Sequence, residues 1–312
     1  MNILAFQTSG WQLFRIRFLN ALAILFSIGL AYPWAKNREL RYLAACASTP
    51  DASLRFNGSL KTFYSGFLQS WILCFLILAG SVALGILVGK KQQADLMAVY
   101  QLFPFILVTG LLYFTSVLLF HALRYRINHL ETSSQISFRF TAGQSDFAGL
   151  YFSGVLLSQL TLSVYFPWFL TRMLRYMAKN THWGNVTFEF TGSAKQFFPT
   201  YIKGVLLSVL TLGIYSIWLY KDFFNYSINH LQLNQDRQSI PLTSQLNTLD
   251  AFQLLVGNAI ILTLSLGLGY SWVKARTLNT LSKSIHLSEG FLLKEALTND
   301  SIPKTSWFRP TL

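Results

Sequence analysis

Charge is scarce in this chain, and acid above all. Of 312 residues only 12 % are charged, 12 acidic against 25 basic, where an ordinary globular domain carries about 25 % charged residues. With 52 % apolar residues the chain is no disordered tail, and a soluble enzyme built on a single core is not expected. The two cysteines, Cys46 and Cys74, lack metal-ligand spacing and exclude a disulfide framework. His121, His129, His182, His230 and His286 form no H-E-x-x-H or other close pair. No Gly-rich phosphate loop, nucleophile elbow or paired catalytic carboxylates occur, and "GLGY" at 267–270 is too short to bind a dinucleotide. The expectation is therefore a non-enzyme with no cofactor and no metal. The N-terminus lacks the basic start of a secretory signal, so the first apolar run is expected to be retained.

Against those absences stand long apolar runs, at about 13–33, 64–88, 101–120, 147–168, 197–219 and 251–272. A hydrocarbon core takes roughly 20 such residues to cross. The runs predict an all-α polytopic membrane protein of about six transmembrane helices, with short β-hairpins in its loops where "LRFNG", "FRFTAG" and "FEFTG" alternate into a turn. The net charge of +13 is spread over the ends of the runs and not gathered in a block. Nucleic acid is therefore not the expected counter-charge, and anionic lipid headgroups are. Arg15, Arg17 and Lys203, near the starts of runs, read as side chains reaching for the interface.

A repeat runs through the chain. "SIGLAYPW", "TLSVYFPW", "TLGIYSIW" and "SLGLGYSW" align without gaps and end at Trp34, Trp168, Trp218 and Trp272, which read as interfacial anchors. A further copy has Val117 in place of the tryptophan and shares "INHL" with the copy that ends at Asn229–Leu231. Five repeat-like units result, about 6–53, 54–137 with an extra span, 138–187, 188–240 and 241–289, followed by a polar tail at 290–312. Counting from the tryptophan, offsets +4, +7 and +11 share one helix face. They carry Arg38 and Arg41, Arg124, Arg172 and Arg175, and Arg276, the candidate residues for an anion or a headgroup, since guanidinium pairs hold phosphate bidentately. Asp222 stands where three sister copies have arginine and is weighed as a partner for Arg38, Arg172 or Arg276 against a solvated surface acid. If each run crosses once, neighbouring units point in opposite directions; if the units are parallel, a run must re-enter without crossing. The sequence leaves both open.

The motif T-L-G-I-Y-x-x-W with basic residues and R-Y behind it, and F-x-F-x-G ahead, resembles the YjgN-like family of bacterial inner-membrane proteins of unknown function. "TLGIYSIW", "YPWAKNRELRY", "PWFLTRMLRY" and "FEFTGS" carry the resemblance, from about Phe6 to Ser288. It implies a multi-pass protein of the bacterial inner membrane and no reaction. Asp222, Asn225 and Asn279 depart from the pattern, standing where cations are expected. On this reading the chain transports or binds a small or lipid-like anion; the alternatives are a structural or adaptor protein that organises partners, and third an intramembrane enzyme. Its expected partners are membrane lipids, with a homo-oligomer or a membrane-protein partner left open.

Overall fold

The computed structural model describes residues 5–49, 52–61, 93–235 and 238–287, with scattered positions between 63 and 82. The second expected span, 64–88, and the tail at 290–312 lie largely or wholly outside them, as does Cys74. The first unit comprises β1 (Ala5–Phe6), α1 (Gly10–Phe26), α2 (Tyr32–Ala45) and β2 (Ala47–Ser48). The second has β3 (Leu54–Phe56), α3 (Gln93–Asn128) and β4 (Leu130–Thr132). In the third stand β5 (Phe138–Phe140), α4 (Gln144–Leu160), α5 (Phe166–Lys179) and β6 (Thr181–Trp183). The fourth runs through β7 (Val186–Phe190), α6 (Ala194–Leu210), α7 (Ser216–Asn229) and β8 (Leu231–Gln235). The fifth is β9 (Gln238–Ser244), α8 (Thr248–Leu264), α9 (Tyr270–Lys283) and β10 (Ile285–Leu287).

Each fully described unit is thus a strand, a helical hairpin and a returning strand. The two strands of a unit pair antiparallel with each other, as in Phe190 opposite Leu231 and Phe6 opposite Ala47, so both feet of every hairpin stand on the same strand belt. Strands β5 to β10 form one six-stranded sheet in chain order, and β1–β2 and β3–β4 extend it through the isolated bridges Ser48–Ser53 and Glu131–Ser137. The helices pack as sequential neighbours from α3 to α9, and α9 then packs against α1, which packs against α2. The circuit passes from α2 through β3 and β4 to α3. The result is a ring of parallel units, with a belt at one end and hairpin tips at the other.

The repeated turn motif builds those tips. At the end of α6 the N–H of Leu212 reaches the carbonyl of Val209 at 3.3 Å and that of Gly213 the carbonyl of Ser208 at 2.7 Å, the pair of bonds that closes a Schellman motif. The same two bonds recur at Ile28 and Gly29, Leu162 and Ser163, and Leu266 and Gly267. The preceding hydroxyl, Ser27, Thr161, Thr211 or Ser265, accepts the N–H four residues on, at 2.7–3.0 Å. The T-L-G-I-Y run is therefore a hydroxyl-braced helix stop and not the middle of a span.

That overturns the all-α architecture of six transmembrane helices. Helices α1, α4, α6 and α8 have 17 residues each, about 25 Å at 1.5 Å per residue, and the tryptophan expected at a span's end already belongs to the next helix. Among the described residues one stretch, Val108–Asn128, is long and apolar enough to cross a membrane. The strands expected as small loop hairpins form a sheet of six. The multi-pass inner-membrane localisation, the lipid partners and the polytopic anion carrier inferred from six spans fall with the spans. Hydropathy averaged along each run missed the reversal, because the turn is built of residues as apolar as the helices on either side.

Candidate functional site

At offsets +7 and +11 the polar stripe on the second helix reaches the next unit. At offset +7, Arg41 donates to the carbonyl of Gly58 at 3.4 Å and Arg175 to that of Gly192 at 2.9 Å. Asn225 donates to Leu246 at 3.0 Å and Asn279 to Thr8 at 3.0 Å. The four acceptors are equivalent positions, just past the first strand of the following unit. Amides and guanidinium groups thus do the same work, and Asn225 and Asn279 keep the pattern from which their sequence departs. At +11, Asn128 and Asn229 accept the N–H groups of Phe140 and Ser244, each at 2.6 Å. The glycine of F-x-F-x-G is explained here too: a Cβ on Gly192 would meet the Phe190 ring and the Tyr226 hydroxyl.

The +4 positions diverge. Arg38 lies over the Trp34 ring at 5.6 Å, Arg172 donates to the Tyr165 hydroxyl at 2.9 Å, and Arg276 donates to the Gln253 carbonyl at 2.8 Å. Asp222 pairs with its neighbour Lys221 at 3.2 Å. Arg124, the +7 residue of the second unit, stands over Phe120 at 6.0 Å. The six arginines are thus distributed around the ring and do not converge on one cavity. The tryptophans pack between units: Trp168 contacts Phe198 at 5.0 Å between ring centroids, and Trp272 contacts Phe14 at 5.0 Å. His129 and His230 each bond the carbonyl four residues earlier at 2.9 Å, a duplicated helix-end contact.

At the seam between last and first units lies a cluster that the repeat did not announce. Glu39, 6 % exposed, accepts from Arg17 on α1 at 2.6 Å, Lys36 on α2 at 2.9 Å and Lys274 on α9 at 2.6 Å. Burial works to raise its pKa, yet the hydrogen bonds and charges of Lys274 and Lys36 together hold it down at about 2. Arg17 also covers the Tyr270 ring at 4.6 Å, so it is a seam residue and not one reaching for an interface. The available signal was Glu39 itself, an acid where the other units have Ala122, Met173, Phe223 and Thr277.

Among the described residues two open surfaces stand out. One is the crown of hairpin tips, where Ile28, Leu162, Leu212 and Leu266 are 94, 90, 96 and 93 % exposed. No Asp, Glu, Lys or Arg occurs in segments 18–35, 147–171, 204–220 or 251–273 around these tips. The other is a polar cavity of about 380 Å³ between α8 and α9 near the belt, lined by Asp250, Gln253, Arg276, Thr280, Lys283 and His286 among others. Among the described residues no group of three or more His, Cys, Asp or Glu is placed to hold a metal ion.

The model of a family described as "Bacterial protein of unknown function (DUF898)" matches residues 3–54 and 185–222, the first unit and the repeat-equivalent part of the fourth. No curated protein and no solved structure matches the chain.

Proposed function

For a chain whose first and fourth units match the model of a bacterial family of unknown function, DUF898, in part, we propose a non-enzymatic scaffold: a ring that assembles with other matter through its uncharged crown. The observation that carries this reading is the conformation of the four tip residues. Ile28, Leu162, Leu212 and Leu266 have φ of 50°, 49°, 51° and 50°, the left-handed region, which costs a side chain with a Cβ about 1–2 kcal/mol. Glycine is the residue that folding favours there. The chain instead places a large aliphatic side chain at each, exposed by nine-tenths or more, where it supports nothing inside the molecule. Fully covering one such side chain is worth roughly 1.5–3 kcal/mol, so a cover supplied from outside outweighs the strain. The +7 and +11 positions of the polar stripe are meanwhile engaged in holding unit to unit.

The cover is an apolar surface, and in a purified preparation with nothing else to offer one, a second crown is the nearest match. Sedimentation of the full chain tests this with a variant carrying Ile28→Asp, Leu162→Asp, Leu212→Asp and Leu266→Asp. Wild type is expected to associate and to be dispersed by a mild non-ionic detergent, while the variant sediments as a monomer with an unchanged thermal transition. Wild type that sediments as a monomer without detergent, at micromolar concentration and above, overturns the reading. So does a fourfold variant that folds and associates as wild type does.

A further inference from the structure

Four units fill one position with the same residue and the fifth does not. At offset +8 stand Tyr42, Tyr125, Tyr176 and Tyr226, and in the fifth unit Thr280. In the first three units the tyrosine hydroxyl donates to the carbonyl at the foot of its own hairpin: Ser9 at 3.3 Å, Ser59 at 3.2 Å and Gly143 at 3.0 Å. Tyr226 shares a hydrogen bond with Thr171 at 3.4 Å. The equivalent groove of the first unit, lined by Gln12, Arg15, Arg38 and Tyr42 among others, has about 250 Å³; threonine is shorter than tyrosine, and beside Thr280 the cavity between α8 and α9 has about 380 Å³. A second exchange sets the position of Arg276 in its wall. Where the first, third and fourth units have Leu19, Ser153 and Lys203, the fifth has Gly257, and a Cβ there would meet the Arg276 guanidinium. The glycine lets Arg276 lie along α8, fixed by one N–H on the Gln253 carbonyl at 2.8 Å.

We infer that this vacated tyrosine slot is a binding site for a small hydroxylated anion, a sugar phosphate or hydroxy acid of a few carbons. Its volume of about 380 Å³ falls in the range of small-molecule sites, roughly 300–1,000 Å³. Arg276, fixed in place, and Lys283 on the last turn of α9 supply two cations for the anionic end. Asp250 on the first turn of α8 accepts from a hydroxyl, and Thr280 and Gln253 add neutral partners; an anion with no hydroxyl leaves the carboxylate unsatisfied beside it. The site is at the belt end, remote from the crown, and stands independently of the scaffold reading.

Calorimetric titration of the full chain with glycerol 3-phosphate, glycerate and inorganic phosphate tests the assignment. Saturable binding of glycerol 3-phosphate or of glycerate is expected, and which of the two binds tells the phosphate source from the carboxylate source. Inorganic phosphate is expected to bind at least tenfold more weakly than the better of them. Thr280→Tyr restores the repeat, and is expected to weaken binding at least tenfold without lowering the thermal transition. Should that variant fail to fold, Lys283→Gln at an exposed position gives the same readout, with a loss of at least fivefold. No saturable heat with glycerol 3-phosphate or glycerate up to millimolar concentration overturns the assignment. Inorganic phosphate binding as tightly as either also overturns it, as does Thr280→Tyr, or Lys283→Gln in its stead, binding as wild type does.

Discussion

Asn279 holds Thr8 by both of its backbone groups, giving its amide N–H to the Thr8 carbonyl and taking the Thr8 N–H on its side-chain oxygen, each at 3.0 Å. Residues 271 apart in the chain are thereby joined as closely as neighbouring strands. Beside them the N–H of Phe6 reaches the Ser282 hydroxyl at 3.2 Å. Where the other latches bind consecutive units, this one closes the circle.

Asn279→Ala is therefore expected to cost about 1–3 kcal/mol, two hydrogen bonds at roughly 0.5–1.5 kcal/mol each. Hydrogen exchange would show the loss concentrated in β1 and the start of α1. Uniform faster exchange throughout the ring would mean that the seam carries no special share of the closure.

Acid should weaken the same seam. Glu39 titrates near 2 in the folded chain, against an ordinary 4.5. A carboxylate whose folded pKa is depressed contributes stability above its unfolded pKa and loses it as pH falls through the folded value. Between about pH 4.5 and 2 the loss is of order 2 kcal/mol once solvent screening is allowed for. Glu39→Gln should flatten that part of the stability profile and cost about 2–4 kcal/mol at neutral pH, since three cations remain without their carboxylate. Denaturant melts of both proteins from pH 2 to 7 check the two together.

At a tip the expected sign is the opposite. Leu212→Gly removes a Cβ from a left-handed residue that is 96 % exposed, and the thermal transition should hold or rise, by up to about 1 kcal/mol in stability. Association through the crown should weaken in the same protein. A marked fall in melting temperature would show that Leu212 serves the fold.

Gly192→Ala should be severe, at about 2–4 kcal/mol, because the new methyl meets the Phe190 ring and the Tyr226 hydroxyl in a filled core. Its carbonyl also receives Arg175. Gly213→Ala probes the other case: no atom lies within 4 Å of its Cβ position, and its φ of 92° leaves backbone strain as the whole effect. Paired equilibrium melts separate crowding from strain.

The repeat was legible in the sequence because its tryptophans, hydroxyls and F-x-F-x-G glycines are fixed to the chain by local geometry. Where "LRFNG", "FRFTAG" and "FEFTG" stand, β3, β5 and β7 begin the second, third and fourth units. The reversal inside each apolar run was not legible, because Leu212 and Gly213 look the same to a hydropathy average whether they continue a helix or stop it. Nor was the role of Arg41 and Arg175, since their acceptors are backbone carbonyls of another unit, and a carbonyl has no letter in the sequence. Asn225 and Asn279 look like departures in the sequence for that reason, although an amide donates to a carbonyl as well as a guanidinium does. The Glu39 cluster depends on Lys274, 235 positions away, and the tyrosine slot on what its four sister units contain. Once the units are superposed, Thr280 and Gly257 become visible as exceptions.

Asn279 grips Thr8 of the first unit as Asn225 grips Leu246 of the fifth, so the latch runs on past the last unit, although among the described residues no strand pair joins β10 to β1. Opening the chain in the tight turn at Gly184 and bridging residue 287 to residue 5 would keep every latch and every strand pair while changing only the order of translation. A ring that can be cut at any joint and sewn at another stores its fold in the unit and its handshake, and a permuted gene would spell the same object.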